Sequence, residues 1–288
     1  MTNIKKLKKE EFPKALLEIP QPPKTLYMKG NWPKDNAVYL CVVGSRKFTS
    51  YGRDACEKLI AGLKGLPVVI ISGLAMGIDS IAHKAALKNG LATIAFPGSG
   101  LNDKIIHPSI NQGLAREILK SGGALISEFE PDFKATQWSF PMRNRLMAGI
   151  SRAVLIIEAE EKSGTLITAR LATEYNRDVL VVPGSINSPA SRGTNWLIRA
   201  GATPILSVEN LLEALGFEIP TDVDKQARLF ADCSPEEKKV LDLLREPISR
   251  DELIRQMEIP TATANAMLSV MEIKGLIKEN LGEIEQNI

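Results

Sequence analysis

The chain has 288 residues, of which 44% are hydrophobic and 24% charged, which is enough for one large domain and one small one. No run of about 18 apolar residues is present to cross a bilayer, and no apolar stretch follows the basic N-terminus, so we expect a cytoplasmic protein without a membrane partner. Three scattered cysteines and two histidines argue against a disulfide framework and a metal site, and we expect no cofactor.

The formal net charge of +2 is divided unevenly along the chain. Residues 234–288 hold 7 Lys and Arg against 11 Asp and Glu, whereas residues 1–233 hold 29 against 23. An anionic polymer is therefore expected to bind the larger, N-terminal part of the protein.

The first 36 residues are predicted to form an extended arm that packs on the domain that follows. Four prolines between residues 20 and 33 rule out a long helix there and favour an extended backbone. We therefore place the first domain boundary at residue 37.

From residue 37 to residue 216 the chain alternates short apolar runs with segments of helix length. Runs rich in Val and Ile, without polar alternation, are typical of parallel strands covered on both faces. They predict a doubly wound α/β domain of about seven strands, whose ligands bind at the carboxyl ends of the strands. The runs are AVYLCVV, PVVII, LATIAF, GALIS, RAVLIIEA, DVLVVPG and ATPILS.

Small and polar residues follow five of these strands. Glycine lets a ligand approach the backbone closely, so each turn offers N–H groups to an anion, although α/β turns also need glycine simply to reverse the chain. Five such turns on one edge favour an anion-binding rim. The turns are Gly44-Ser45-Arg46, Ser72-Gly73, Pro97-Gly98-Ser99-Gly100, Ser127-Glu128 and Pro183-Gly184-Ser185.

Arg46 leaves the first of these strands where a dinucleotide-binding protein has its pyrophosphate loop. The segment GSRKFTSYG has neither a G-x-G-x-x-G nor a Walker pattern, so it supports neither a dinucleotide nor a triphosphate. A guanidinium binds a phosphate through paired donors without a metal. We interpret Arg46 as a contact to a phosphodiester backbone; the alternative is an ordinary surface arginine.

Residues 133–152 combine aromatic and basic side chains. Trp138 and Phe140 stand just ahead of Arg143 and Arg145, and no acid occurs between Lys134 and residue 157. Aromatic faces beside guanidinium groups suit single-stranded nucleic acid, because unpaired bases stack while phosphates are neutralised. The alternative is that the aromatic residues anchor a loop in the core and the arginines solvate a helix.

Ser163-Gly164-Thr165 precedes a predicted helix. Ser163 or Thr165 is a candidate N-cap, and the first N–H groups of the helix would then face a phosphate, although simple capping needs no ligand. Nearby Glu158, Glu160 and Glu161 would repel a phosphate unless arginines pair with them.

Ser72, Asp79 and His83 fall within one strand-to-helix turn, but the G-x-S-x-G pattern of a hydrolase elbow is absent. Asp79 and His83 are four residues apart, and we predict that they hydrogen-bond to each other on the surface of a helix. No catalytic residue is expected.

Residues 217–233 are interpreted as a linker, and residues 234–288 as three helices and a hairpin that resemble a winged helix. Ser234 is the predicted N-cap of the first helix, with Pro235 at its first position. The presumed recognition helix holds one basic residue, Lys274, so we expect a protein contact or dimerisation element rather than a reader of duplex DNA.

Between residues 26 and 216 the motifs VVGSR, SGLAMGIDSIAHKAAL, TIAFPGSGLN, ISEF, FPMRNRLMAGISRAVLIIEA, KSGTLITARLA, VVPG and SRGTNWLIRAGA resemble, in this order, the DprA/Smf family of DNA-processing proteins of natural transformation. The resemblance implies an extended Rossmann-like, mostly parallel sheet and a small C-terminal winged-helix domain. It also implies a homodimer that binds incoming single-stranded DNA, shields it from nucleases and loads RecA recombinase, with single-strand binding protein as a further candidate partner. No catalytic activity is attached to the family.

Family motifs and glycine turns together give one set of expected DNA-binding residues. One departure is His107-Pro108-Ser109, where many members have Tyr-Pro-Lys, so Lys104 or Lys134 is a candidate replacement for the missing lysine. The expected residues are Gly44, Ser45, Arg46, Gly73, Gly98, Ser99, Gly100, Lys134, Phe140, Arg143, Asn144, Arg145, Ser163, Gly164 and Thr165.

Two other functions remain open. The first is a nucleotide-hydrolysing enzyme of the lysine-decarboxylase-like type, but the segment that begins at Ser163 has no acid before Glu174 to act as general acid or base. The second is a transcription regulator that binds duplex DNA, which the acidic C-terminal domain disfavours.

Overall fold

A computed structural model of the chain describes residues 3–32, 37–218, 233–244, 246–280 and 282–286. Contacts divide the chain into two compact units, residues 1–217 and residues 218–288. Most of the predicted linker, and residues 33–36 of the predicted arm, lie outside the described residues. No described helix is both long enough and apolar enough to cross a membrane.

Nine strands of the larger unit form one sheet. They are β1 (Lys5–Leu7), β2 (Leu26–Gly30), β3 (Val38–Val43), β4 (Val68–Ser72), β5 (Ala92–Ala95), β6 (Ala124–Ser127), β7 (Ala153–Ile156), β8 (Asp178–Val181) and β9 (Thr203–Pro204). Their spatial order is β1-β2-β6-β5-β4-β3-β7-β8-β9, and the seven strands from β6 to β9 are parallel. The predicted doubly wound, mostly parallel sheet is therefore confirmed.

Helices cover both faces of this sheet. They are α1 (Lys14–Leu17), α2 (Ser50–Ala61), α3 (Ile78–Lys88), α4 (Gln112–Lys120), α5 (Ser139–Ile150), α6 (Thr165–Glu174), α7 (Arg192–Arg199) and α8 (Val208–Leu215). Side chains of a strand point alternately to its two faces, and in β3 both sets are buried. Cys41 and Val43 belong to one core, while Leu40 and Val42 belong to the other. Burial on both faces explains why the strands are continuously apolar.

The N-terminal segment differs from its prediction. Instead of an extended arm, it adds two antiparallel strands to the edge of the sheet, with β2 against β6 and β1 against β2. The apolar residues Leu26 and Tyr27 are buried there, while Pro20, Pro22 and Pro23 fall between β1 and β2 rather than within them. An extended backbone beside an open strand edge pairs with it because the edge carries unpaired N–H and C=O groups.

The strand order reverses at β3. The chain passes from β3 through α2 to β4 on one side, and β7 later pairs with β3 on the other side. The loops that follow β3 and β7 therefore run in opposite directions and leave a crevice at the carboxyl ends of the two strands.

Three helices and a three-stranded sheet make up the described part of the smaller unit. The helices are α9 (Pro235–Leu243), α10 (Arg250–Gln256) and α11 (Thr261–Ile273), and the strands are β10 (Ile248–Ser249), β11 (Ile277–Asn280) and β12 (Glu283–Gln286). Ser234 caps α9 as predicted, in a reciprocal capping box with Glu237, and Pro235 occupies the first helical position. The predicted hairpin is β11 and β12.

Candidate nucleic-acid interface

The crevice at the reversal of strand order holds a cleft of about 440 Å³, which we call the switch-point cleft. Its lining comes from the loop after β3, from the start of α3, from the first turns of α5 and from the loop that leads into α6. The predicted residues in this lining are Gly44, Ser45, Arg46, Phe140, Arg143, Asn144, Ser163, Gly164 and Thr165.

Arg46 is exposed at the mouth of the cleft. Its guanidinium carbon lies 5.5 Å from the centroid of the Phe140 ring, within the range of a cation–π contact. Within the described residues the guanidinium has no hydrogen bond or ion pair to a protein group. The donors of Arg46 are therefore available to a ligand, while the Phe140 ring limits where they point.

Ser45 and Gly44 shape the loop that carries Arg46. The buried hydroxyl of Ser45 accepts a hydrogen bond from the Lys47 N–H at 3.0 Å and donates one to the Lys47 carbonyl at 2.8 Å, which closes a tight turn. A Cβ atom on Gly44 would lie 2.7 Å from the Ile78 side chain, so only glycine lets α3 pack this close to the end of β3. These two residues position Arg46.

Arg143 forms the floor of the cleft. The side chain is 5% exposed, and its Nη1 donates a hydrogen bond of 2.6 Å to the Phe96 carbonyl. Its Nε has no hydrogen-bond partner among the described residues. A Cβ atom on Gly73 would lie 1.7 Å from Nη1, so the predicted glycine at 73 provides the space that the guanidinium occupies.

Asp79 lies beside Arg143 and is also buried. Its Oδ2 accepts hydrogen bonds from the Gly73 N–H at 3.1 Å and the Ala75 N–H at 3.4 Å. Burial raises the pKa of this carboxyl group, and the charge of Arg143 partly offsets that rise. Burial likewise lowers the pKa of Arg143, which the charge of Asp79 opposes. Asp79 therefore holds the loop after β4 and balances the buried guanidinium.

The predicted hydrogen bond between Asp79 and His83 is wrong. His83 is fully buried, and its Nδ1 lies 2.7 Å from the Thr93 hydroxyl on β5. Burial, reinforced by the charge of Arg143, lowers the pKa of His83 to about 3. Both side chains face the sheet rather than solvent, because α3 packs its polar positions against the loop after β4 and against β5.

Phe140 and Asn144 approach the cleft from successive turns of α5. Phe140 is half-buried, and its ring lies over Gly98, where an added Cβ atom would be 2.6 Å from a ring carbon. The ring of His107 lies 5.7 Å away on another side. Gly98 thus supports the Phe140 ring without lining the cleft itself.

Arg145, by contrast, does not reach the cleft. Its guanidinium forms an ion pair with Glu128 and donates a hydrogen bond of 2.7 Å to the Gln21 carbonyl. Residues two apart on a helix lie on different faces, so α5 cannot direct both Arg143 and Arg145 into one site. The structure makes Arg145 part of the packing between α5 and the N-terminal segment.

Residues Ser163, Gly164 and Thr165 form the start of α6, with its N-terminus at the cleft. Neither predicted residue is the N-cap, because Gly164 occupies that position and no side chain caps the helix. The Ser163 hydroxyl instead accepts a hydrogen bond from the Thr165 N–H, at 3.2 Å. The positive end of the helix dipole adds to the cationic character provided by Arg46 and Arg143.

The sequence predicted that Glu158 would need a nearby arginine, but hydrogen bonds satisfy its carboxylate instead. The carboxylate is 2% exposed and accepts hydrogen bonds from the Thr49 N–H at 2.9 Å and the Thr49 hydroxyl at 2.5 Å. Thr49 is itself the N-cap of α2. Glu158 therefore joins the two loops that border the cleft and does not line the cleft itself.

Ser99, Gly100 and Lys134 lie outside the switch-point cleft. The Ser99 side chain is fully buried and accepts a hydrogen bond from the His107 N–H at 3.2 Å. The Gly100 N–H donates to the Phe133 carbonyl at 2.8 Å. Lys134 is exposed in the loop that follows β6, next to a cluster of Phe129, Phe133 and Trp138. The alternative interpretation, in which Trp138 and Phe140 anchor a loop in the core while the arginines solvate a helix, is wrong, because Trp138 is exposed and Arg143 and Arg145 are buried.

Several residues of the cleft were not singled out as binding residues from the sequence. Lys47, beside Arg46, is exposed in the lining, and Glu160 contributes an exposed acid on the opposite side. Ile167 and Thr168 follow one turn into α6. The signal for Lys47 was its position next to Arg46, whereas Ile167 and Thr168 show only the ordinary pattern of an α/β helix.

An open parallel sheet with a cationic cleft at the reversal of its strand order, followed by a winged-helix unit, defines the class: a Rossmann-like α/β protein with a site for an anionic ligand. A family model described as DNA recombination-mediator protein A matches residues 3–216, and one described as the DprA winged helix domain matches residues 225–282. The chain therefore belongs to the DprA/Smf family, as its motifs predicted.

Individual relatives agree with this assignment. Protein Smf of Escherichia coli (strain K12) is 40% identical over 231 residues, which cover 80% of this chain and 61% of that protein. The X-ray structure of DNA processing protein A from Streptococcus pneumoniae has a TM-score of 0.69 and 37% identity, with 75% of each chain covered. A structure that addresses the single-stranded DNA binding mode of DNA processing protein A from Helicobacter pylori has a TM-score of 0.67 and 34% identity, with 75% of this chain and 98% of that chain covered.

Proposed function

We propose that the chain is a single-stranded DNA-binding recombination mediator whose binding site is the switch-point cleft. The observation that carries the proposal is the exposed guanidinium of Arg46 at the mouth of the cleft. Among the described residues it has no hydrogen-bond or ion-pair partner, and it lies over the Phe140 ring. A guanidinium and an aromatic ring together serve the phosphate and the base of one nucleotide. The H. pylori relative, whose structure addresses single-stranded DNA binding, supports this ligand.

The cleft favours binding without sequence preference. The Arg46 guanidinium, the Lys47 ammonium group and the positive end of the α6 dipole all suit phosphates, which carry no sequence information. Arg143 lies buried beneath the cleft. There it donates a hydrogen bond to the Phe96 carbonyl, and the Asp79 carboxylate partly balances its charge, so it makes no direct contact with solvent-exposed phosphates. Affinity is therefore expected to depend on salt more than on base composition.

The test is fluorescence anisotropy with a labelled oligonucleotide, single-stranded and then duplex, over a salt series. Wild type should prefer the single strand. Arg46→Ala should lose at least tenfold in affinity for every sequence, and the slope of log affinity against log salt should become shallower by about 0.7, the value for one phosphate contact on a single strand. The matched control is Arg170→Ala, an exposed arginine near the far end of α6 that pairs with Glu174. Equal losses in the two variants would contradict the proposal.

Partners follow from the family rather than from the cleft. We propose a homodimer that protects incoming single-stranded DNA and loads RecA recombinase on it, with single-strand binding protein as a further partner. The test is RecA filament formation on a single strand already covered by single-strand binding protein. Wild type should accelerate filament formation and Arg46→Ala should not. Acceleration by both would mean that RecA loading does not depend on the cleft.

The winged-helix unit is proposed as a protein contact rather than a duplex reader. Four of its six described basic side chains pair with acids; among them, Lys274 donates to Glu237 at 2.6 Å, and Arg250 contacts Glu272 and Glu279. An exposed pair, Val270 and Ile273, lies on α11 instead. Deleting residues 225–288 should reduce single-strand affinity by less than tenfold; a larger loss would place DNA contacts in this unit.

An enzyme remains the second candidate because Glu160 places an exposed acid in the cleft, where the sequence segment after Ser163 had offered none. A nucleotide hydrolase would release free base from a nucleoside monophosphate. We expect no release after prolonged incubation with each monophosphate. Release that Glu160→Gln abolishes would favour the enzyme.

A further inference from the structure

A second concavity lies on the same edge of the sheet as the switch-point cleft. It has a volume of about 490 Å³ and lies between the start of α2 and the loops that follow β7 and β8. We call it the Tyr51 groove; its lining includes Thr49, Tyr51, Glu158, Gly184, Ser185 and Ser188. None of the expected DNA-binding residues lies in it.

One wall separates the groove from the cleft. That wall is the pair of hydrogen bonds from Thr49 to Glu158, which joins the loop after β3 to the loop after β7. The cleft takes residues from these same two loops, Arg46 and Lys47 before Thr49, and Glu160 after Glu158. A chain that leaves the cleft over this wall therefore enters the groove directly.

Tyr51 is an aromatic ring fixed in an exposed position. The residue is 51% exposed, yet its hydroxyl donates a hydrogen bond of 2.6 Å to the Pro183 carbonyl. The hydrogen bond fixes the ring at the groove while about half of the residue stays exposed. A ring that is already immobilised loses little entropy when a flat ligand stacks on it.

The groove provides no cation from its own lining. Its polar groups are serine hydroxyls and backbone, and the Glu158 carboxylate is engaged by Thr49. A phosphate would find no cation here to balance its charge, whereas a base has both a stacking surface and hydrogen-bonding groups at its edge. The charges favour a base in the groove and phosphates in the cleft.

We propose that the Tyr51 groove is a second subsite for the same single strand, in which a base stacks on Tyr51 next to the nucleotides that the switch-point cleft holds. The inference rests on the proposed function. It assigns the two concavities different chemistry: the cleft binds phosphate with its cations beside the Phe140 ring, and the groove stacks a base without a cation.

The experiment measures anisotropy of Tyr51→Ala, Tyr51→Phe and Arg46→Ala with a series of oligonucleotide lengths and salt concentrations. Tyr51→Ala should lose about fivefold to tenfold in affinity, the lower range for one stacked base, and only for oligonucleotides long enough to cross the wall. Its salt slope should equal that of wild type. Tyr51→Phe keeps the ring and should lose less than threefold. Thermal melts of the three variants check that each is folded.

A strand with a single abasic site, moved one position at a time, sharpens the test. At one position wild type should lose about as much affinity as Tyr51→Ala does, and Tyr51→Ala should lose nothing further. Unchanged affinity of Tyr51→Ala at all oligonucleotide lengths, or a shallower salt slope, would overturn the proposed subsite in the Tyr51 groove but not the proposed function. Absence of single-strand binding by wild type would overturn the proposed function as well.

Discussion

Two regions on the carboxyl edge of the sheet have the same sequence features but different structures. One is the switch-point cleft, and the other, which we call the β5–β6 rim, comprises Gly98–Gly100 and Glu128–Lys134. Both contain glycine turns near basic and aromatic residues. Only the first is open, because the strand order reverses there, whereas the chain continues in one direction past β5 and β6 and its loops pack on each other.

The order of the strands, rather than the composition of the turns, decides which turns stay open. At the β5–β6 rim the Gly100 N–H binds the Phe133 carbonyl, and Arg145 binds Glu128. At the cleft, Arg46, Lys47 and Gly164 are exposed. Groups that would serve an anion are engaged by the protein in one region and available in the other.

The largest effect is expected at Arg145. Arg145→Ala should lower the free energy of unfolding of the larger unit by about 3 kcal/mol, because it leaves the Glu128 carboxylate buried without its partner. Single-strand affinity of the folded fraction should stay within twofold of wild type. Denaturant unfolding and anisotropy measure the two quantities. The double variant Arg145→Met/Glu128→Leu should recover most of the stability, and a strong loss of binding in it would place Arg145 in the site.

A matched pair of glycine substitutions comes next. A Cβ atom on Gly100 would lie within 2.5 Å of backbone atoms of Glu130 and Pro131, so Gly100→Ala should cost about 1–3 kcal/mol of stability and leave binding unchanged. A Cβ atom on Gly73 meets the Arg143 side chain instead, which moves more readily. Gly73→Ala should therefore cost less stability but several-fold in affinity. The reverse pattern in melts and anisotropy would remove the distinction between the two regions.

The pH dependence of stability tests the packing behind the cleft. The pKa of His83 is lowered to about 3 in the folded protein, so the unfolded chain binds more protons between pH 3 and the ordinary value near 6.5. Stability is lost as the pH falls through this window, at up to about 1.4 kcal/mol per pH unit. The raised pKa of Asp79 acts in the opposite direction. His83→Gln should flatten the dependence in melts between pH 6.5 and 4, and an unchanged slope would mean that His83 is not buried as described.

The smallest effect is expected at Lys134, which lies at the β5–β6 rim. Lys134→Ala should change single-strand affinity by less than twofold, because the side chain is exposed outside the cleft and long-range attraction is screened by salt. Lys47→Ala, from the cleft itself, is the comparison and should cost more. If Lys134 proves the more important of the two, the strand follows the β5–β6 rim.

Much of the fold follows from local pattern. The seven apolar runs became seven parallel strands, most of them buried on both faces, although the short edge strand β9 is exposed. Ser234 and Pro235 began a helix because capping is a local interaction. The strands β1 and β2 were not predicted, because the prolines favoured an unpaired extended arm. The strand with which β2 pairs, β6, is about 100 residues away in the sequence. Distant pairing has no local signature.

The candidate site divides in the same way into features set by local sequence and features set by distant contacts. Arg46 and Ser163 were found because they stand at strand and helix ends, where exposure follows from topology. The directions of Arg143 and Arg145 depended on where α5 begins and on what each face of it meets. Similarly, Asp79 and His83 have the spacing of a surface pair, but tertiary contacts with Gly73 and Thr93 direct them inward.

Gly73 and Arg143 also place a joint constraint on how this sequence can change. No side chain larger than hydrogen fits at 73 while the guanidinium stays hydrogen-bonded to the Phe96 carbonyl, and a shorter residue at 143 would leave a void above a bare glycine. Either substitution alone is unfavourable, while the two together can restore the packing without restoring the charge. The positions are thus expected to covary, and a relative that has lost the glycine should have lost the buried cation with it.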